Sequence, residues 1–227
     1  MKISGKSILI MMKFKNVLLL AFFLGSFVIN AQVRATVSGK TYDLESVKLT
    51  IDGFVITLDS EGLISDFNAP DLNGKIEYYD DKTFDKIKYG KLKSIGGVKI
   101  DYWDELGWNS AKNGKLKSIG SITVDYWDDS AFTREKAGKI KKIGDLNIDY
   151  WPDDVIDNSR MGKLKTIGDI SIDYGTKDII DQSKFQKLIK FGPVSLDYSN
   201  DKFINKQSYG LIKSINGNSE KISVSVL

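Results

Sequence analysis

A chain of 227 residues without a single cysteine or histidine has no route to disulfides, to Ser-His-Asp or Cys-His catalysis, or to the usual zinc sites. Its formal charge of +3 comes from its first residues: four of the 33 basic side chains precede Ala31, which leaves 29 basic against 30 acidic residues beyond it. The basic pI therefore gives no reason to expect a nucleic-acid partner.

Lys2, Lys6, Lys13 and Lys15 precede an apolar run from Val17 to Ile29, broken only by Gly25 and Ser26, and then Asn30-Ala31-Gln32. That order reads as a secretory signal peptide over 1–31, cleaved after Ala31. The run is shorter than the about 20 apolar residues of a membrane span. Met12, followed by Lys13-Phe14-Lys15, is a second possible start. The expected location is the periplasm or the exterior, with nothing spanning the membrane after cleavage.

Residues 32–73 read as an N-terminal β cap. Within them Val47 to Ile51, an Asp52-Gly53 turn and Phe54 to Leu58 form a hairpin pattern. Residues 74–215 are a tandem array with a period of 24. Gly96, Gly120, Gly144, Gly168 and Gly192 share one phase, as do Asp101 to Asp197 and Tyr102 to Tyr198. The units open with GKLKSIG (90–96, 114–120), GKIKKIG (138–144) and GKLKTIG (162–168), then QKLIKFG (186–192) and GLIKSIN (210–216). A half-unit, GKIEYYDD (74–81), precedes them. A fixed period of this length means a stack of one supersecondary unit.

Each unit contains two alternating segments. Leu92 and Ser94 alternate with Lys91 and Lys93; Val98, Ile100 and Tyr102 alternate with Lys99, Asp101 and Trp103. Such alternation reads as half-buried strands, joined by Gly followed by Gly, Ser or Asp, which suits a tight reversal. The linkers are polar except at Trp108, Phe132, Ile156, Ile180 and Ile204, residues expected to pin each linker against the sheet. Residues 216–227 supply a C-terminal capping strand.

The fold class is all-β, and the unit fits either an extended antiparallel β-hairpin array or a β-solenoid. In a solenoid the Asp copies would lie about 4.8 Å apart and repel by about 1 kcal/mol in water. In a hairpin array a strand carrying Lys91 or Lys93 separates them, a favourable cross-strand pattern, so the hairpin array is preferred.

GKLKSIG followed by IDYWDD-type strands resembles the tyrosine–aspartate (YD) repeats of Rhs-type bacterial surface proteins, over Gly114 to Ile119 and Tyr126 to Asp128 and their copies. Here Asp precedes the tyrosine, and twelve positions separate Tyr102 from Gly114, a longer connection than that family shows. The resemblance implies antiparallel hairpins at an envelope or external location.

No phosphate loop or EF-hand spacing occurs, and Asp128-Asp129 and Asp153-Asp154 read as solvated carboxylates; no cofactor or metal is expected. Carboxylate-only glycosidase chemistry is the enzyme route left, with Glu45, Glu61, Glu105 and Glu135 as non-repeated acids. Because most acids recur in identical settings, an enzyme is not expected. Tyr78 to Tyr198 fall in phase with the apolar face and read as core. Tyr79, Trp103, Trp127 and Trp151 fall on the opposite face, either packed under linkers or forming an aromatic row for a polysaccharide. The sequence thus points to an exported structural or interaction module of the envelope or exterior. Its partner would be a polysaccharide or another envelope protein, and its edge strands would permit self-association.

Overall fold

The computed structural model describes residues 31–69, 72–105, 111–129 and 134–227, and in them every regular element is a strand apart from two short 3-10 turns. Residues 1–30 of the expected signal segment lie outside the described residues. Among those described, no helix is long and apolar enough to cross a membrane.

Strands β1 (Gln32–Val37), β2 (Leu44–Ile51), β3 (Phe54–Asp59) and β4 (Ile64–Asn68) form an antiparallel meander, with Asp52-Gly53 as the expected turn. Both turn residues have positive φ (48° and 81°), as a type I′ reversal requires. The repeats follow: β5 (Ile76–Tyr78), then the hairpins β6 (Leu92–Ile95) with β7 (Val98–Tyr102), β8 (Leu116–Ile119) with β9 (Ile122–Tyr126), and β10 (Ile140–Ile143) with β11 (Leu146–Tyr150). Next come β12 (Leu164–Ile167) with β13 (Ile170–Tyr174), β14 (Leu188–Phe191) with β15 (Val194–Tyr198), and the half-unit β16 (Ile212–Asn216), which pairs with β15. The final strand β17 (Ile222–Val226) leaves the array and pairs in parallel with β1.

The result is two open sheets, β17-β1-β2-β3-β4 and the twelve strands β5 to β16 in sequence order. Strand pairing in the repeats is antiparallel throughout, so the array is built of hairpins and is neither a solenoid nor a closed barrel. The two sheets share one core: Ile56 and Leu58 of the short sheet are buried with Ile119, Ile122, Ile148 and Tyr150 of the long one. The Tyr150 hydroxyl donates to the Gly62 carbonyl (3.2 Å), and Tyr42 packs on Tyr198 with ring centroids 5.8 Å apart. The N-terminal residues therefore lie on the face of the repeats. One side chain such as Ile122 contributes about 1.5–3 kcal/mol when buried. A lone hairpin is marginal, so neighbours and the covering sheet complete each repeat.

Two local devices repeat. Gly120, Gly144, Gly168 and Gly192 have φ of 54–59° as first turn residue, the type II′ pattern in which the next residue is unrestricted enough to be Ser, Asp or Pro193. The second device corrects the simple alternation expected for the first strand. Opposite Asp101 and Tyr102 stand Ser118 and Leu116, which leaves Lys117 as an extra residue. The same shift recurs at Lys93, Lys141, Lys165, Ile189 and Lys213. Such a bulge lets Leu116 and Ile119, three residues apart, both face the core. Ser94 consequently does not share the Leu92 face: its hydroxyl donates to Glu77 on the outer surface (3.0 Å).

The linker expectation also fails. Ile156, Ile180 and Ile204 are 95%, 84% and 92% exposed and pin nothing; Trp108 and Phe132 lie outside the described residues. The linker backbone is held instead by Asp carboxylates accepting N–H groups two or three residues on, as Asp154 does from Ile156 (2.9 Å) and Asp201 from Ile204 (2.8 Å). These Asx turns need no apolar anchor.

The glycine opening each unit also has positive φ, 71–77° at Gly90, Gly114, Gly138, Gly162 and Gly210, and Gln186 takes its place at 61°. A side chain there costs roughly 1–2 kcal/mol. Gln186→Gly keeps both backbone hydrogen bonds of that residue and is expected to raise stability by about 1 kcal/mol, read from the urea midpoint at unchanged slope. A lower midpoint would show that the Gln186 side chain contributes more than its strain costs.

Candidate functional site

The residues singled out by sequence, Tyr79, Trp103, Trp127 and Trp151, do form one row on the outer face of the long sheet, one per repeat. Copies two strands apart are spaced by about 10 Å. Each is half-buried and fixed from both ends. The Trp103 backbone pairs with Lys115 and Gly114 across the linker, and its indole N–H reaches the next repeat to donate to the Val124 carbonyl (2.9 Å). Trp127 and Trp151 donate likewise to Ile148 (3.4 Å) and Ile172 (3.2 Å), and the Tyr79 hydroxyl to Ile100 (3.1 Å).

Two cations lie over each ring. Lys112 and Lys117 stand 5.1 Å from the Trp103 centroid, and Lys136 and Lys141 stand 4.9 and 5.1 Å from that of Trp127. Arg160 and Lys165 stand 3.9 and 5.1 Å from that of Trp151. The first of each pair comes from a linker and also bonds the next aspartate: Lys88–Asp101 (2.7 Å), Lys112–Asp125 (2.9 Å), Lys136–Asp149 (2.6 Å) and Arg160–Asp173 (3.0 Å). Burial opposes the charge on Asp101, Asp125 and Asp149. The lysine, together with the N–H of the following tyrosine, outweighs it and holds all three below the usual carboxylate range. Burial first, and Asp101 second, push the Tyr79 hydroxyl up to about 12. All these distances fall within the about 6 Å range of a cation–π contact. The row is therefore built into the repeat-to-repeat interface, with both the indole donor and the ring already engaged.

A second row, not singled out as a site from sequence, runs along the same end of the strands, over the inner tyrosines. Lys91, Lys115, Lys139, Lys163 and Lys187 each donate to the carbonyl 23 residues on, that of Gly114, Gly138, Gly162, Gln186 or Gly210. Each also lies 4.8–5.2 Å over the tyrosine of its own hairpin, Tyr102 to Tyr198. Burial lowers the pKa of Lys91, Lys115, Lys139 and Lys187. The legible signal was the Lys that follows the opening glycine in the same phase. A second was the basic residue at 88, 112, 136, 160 and 184.

A cleft of about 610 Å³ opens between the loops of the two sheets and is lined by Asp43, Glu45, Glu61, Glu135, Lys139, Lys163 and Tyr174 among others. Three of the four non-repeated glutamates thus converge there, while Glu105 sits on a different linker with its N–H bonded to Asn113 (2.9 Å). The lysines of the cleft are engaged: Lys163 bonds Asp43 (2.9 Å) and Lys139 the Gly162 carbonyl (2.6 Å). Among the described residues, no three acidic side chains are grouped so as to hold a metal ion.

What recurs and stays unengaged is the row of linker tips. Phe84, Ile156, Ile180 and Ile204 share one phase, and Val155, Ile179 and Phe203 stand beside the last three, all of them exposed. In comparison with known proteins, no family model matches the chain and no curated protein shows significant similarity to it.

Proposed function

We propose that the protein is an exported, non-enzymatic repeat protein, a structural or interaction module of the bacterial cell envelope or exterior, which binds through its linker tips. The supporting observation is the division of labour among the repeated side chains. The lysine, aspartate and tryptophan rows bind repeat to repeat, whereas each described linker holds an apolar tip in water on Asx turns. A row of exposed large apolar side chains on a rigid scaffold is costly to maintain in a soluble protein and marks a contact surface.

The test is the variant Phe84→Ser, Ile156→Ser, Ile180→Ser, Ile204→Ser. Each side chain is exposed, so each change is expected to alter stability by no more than about 0.5 kcal/mol. Immobilised 32–227 is expected to retain an envelope protein that the variant does not. Equal retention by both, or none by either, would sink the tip-row reading. Polysaccharide retention abolished by Trp127→Ala would transfer the binding surface to Tyr79, Trp103, Trp127 and Trp151.

A further inference from the structure

The long sheet begins and ends in the middle of a repeat. Inside the array, every strand of the β6 type has two neighbours: one across a long linker, and the one it meets through the two-residue turn. At the first edge β5 pairs with β6 alone. The stretch one period upstream of β6 reads Asn68-Ala69-Pro70-Asp71, whose proline cannot donate to a ladder. At the last edge β16 pairs with β15 alone, because the chain that follows departs to become β17. Thus β5 lacks a hairpin partner of the β16 type, and β16 lacks one of the β5 type.

We infer that β16 of one copy pairs antiparallel with β5 of the next, so that the repeat continues from molecule to molecule, head to tail. The register follows from the interior pairs Ser94↔Lys99 and Ile95↔Val98: one period on, Ser214 faces Lys75 of the next copy, and Ile215 faces its Gly74. The side chains left exposed at the two edges are complementary. Leu211 occupies the phase of the stacking lysines Lys91 to Lys187 and is 46% exposed, with no tyrosine of its own hairpin to cover. Tyr78 is 56% exposed, and among the described residues no cation lies over it. Ile76 is 52% exposed where its interior copy Ile100 is fully buried. The junction places Leu211 over Tyr78 of the next copy and brings Ile212 beside its Ile76, an apolar version of the interior contact. Open strand edges are otherwise covered or charged. A head-to-tail contact leaves a fresh edge at each end and does not close. One strand pair buries less than the about 1,200 Å² of a stable complex, so association rises steadily with concentration.

The inference rests on the reading of the chain as a structural module but not on the linker tips. Sedimentation velocity of 32–227 across a wide concentration range is expected to show a mass that climbs past the dimer. Ile76→Asp spoils one edge and Leu211→Asp the other, both at exposed positions, with folding confirmed by far-UV circular dichroism. Each variant alone is expected to stay monomeric, its dissociation constant raised at least about ten-fold, a loss of about 1.4 kcal/mol. An equimolar mixture of the two, which retains one intact junction, is expected to form dimers and nothing larger. A monomeric wild type, or a dimer that neither substitution disturbs, overturns the inference. Retention of a partner by monomeric Ile76→Asp, whose tips are intact, keeps that outcome separate from the tip-row test.

Discussion

Raised from neutral pH, the folded chain is expected to hold to about pH 10.5 and then unfold cooperatively within about two to three pH units. Tyr126, Tyr150, Tyr174 and Tyr198 are buried, and burial raises the pKa of all four above the ordinary 10.0. Two also use the phenolic proton, Tyr150 toward Gly62 and Tyr198 toward Leu188 (2.6 Å). A group whose folded pKa is raised stabilises the fold fully below its unfolded value, and that stability drains away as pH climbs toward the folded one. Each proton released only by the unfolded chain removes about 1.4 kcal/mol per pH unit, and four together about 5 kcal/mol. The half-buried lysines Lys91, Lys115, Lys139 and Lys187 act in the opposite sense. Their folded pKa values lie below 10.5, so between the two values the unfolded chain holds more protons and stability rises with pH. They delay the decline to just above 10.5 without reversing it. Tyr78 and Tyr89 are exposed, so the first tyrosinate absorbance precedes unfolding; its final rise, from the four buried side chains, should coincide with loss of the strand circular dichroism. Complete tyrosine ionisation while the strand signal persists would show that the inner face is open to water.

What the sequence made legible was whatever repeats along the chain at period 24 or alternates at period two. The hairpin turns, the inner tyrosines and the outer Trp row are in the first class, because each is a local consequence of a glycine or of strand alternation. The bulges at Lys93, Lys117 and their copies were not legible. A bulge changes no residue type, and only the partner strand shows that Leu116 and Ile119 share a face. Position alone likewise could not tell an anchoring Ile156 from an exposed one, since an apolar residue in a polar linker satisfies either role. The parallel pairing of β17 with β1 joins segments nearly 190 residues apart, and no periodic signal spans that gap. Of the candidate site, the sequence located the aromatic row; it did not reveal that cations from the linkers lie over its rings, because position along the chain does not show which linker folds onto which ring.

The departures from the repeat carry structural information, and Gly175 tests it most severely. It holds the phase of Tyr79, Trp103, Trp127 and Trp151, so a consensus argument makes Gly175→Trp a stabilising change. The backbone pairing is indeed that of the other units: the Gly175 N–H donates to Lys187 (2.9 Å) and its carbonyl accepts from Gln186 (2.8 Å). The linker that follows, however, folds back to form a parallel bridge between Gly175 and Phe185. A Cβ at Gly175 would lie 1.9 Å from the Lys184 carbonyl oxygen and 2.5 Å from its carbon. Both are backbone atoms, so relief requires moving the segment that holds Lys184 against Asp197 (3.5 Å) and Ser183 in its buried position. Overpacking of this kind costs about 1–3 kcal/mol, and the upper end is expected here because no side chain can yield instead. Gly175→Ala should lose nearly as much as Gly175→Trp, since the clash begins at the first carbon; the urea midpoints of the two variants would then fall together. If Gly175→Trp matched or exceeded the wild type while Gly175→Ala fell, the indole would be extending the cation-covered row, and the linker over residues 176–186 would be the part that adapts.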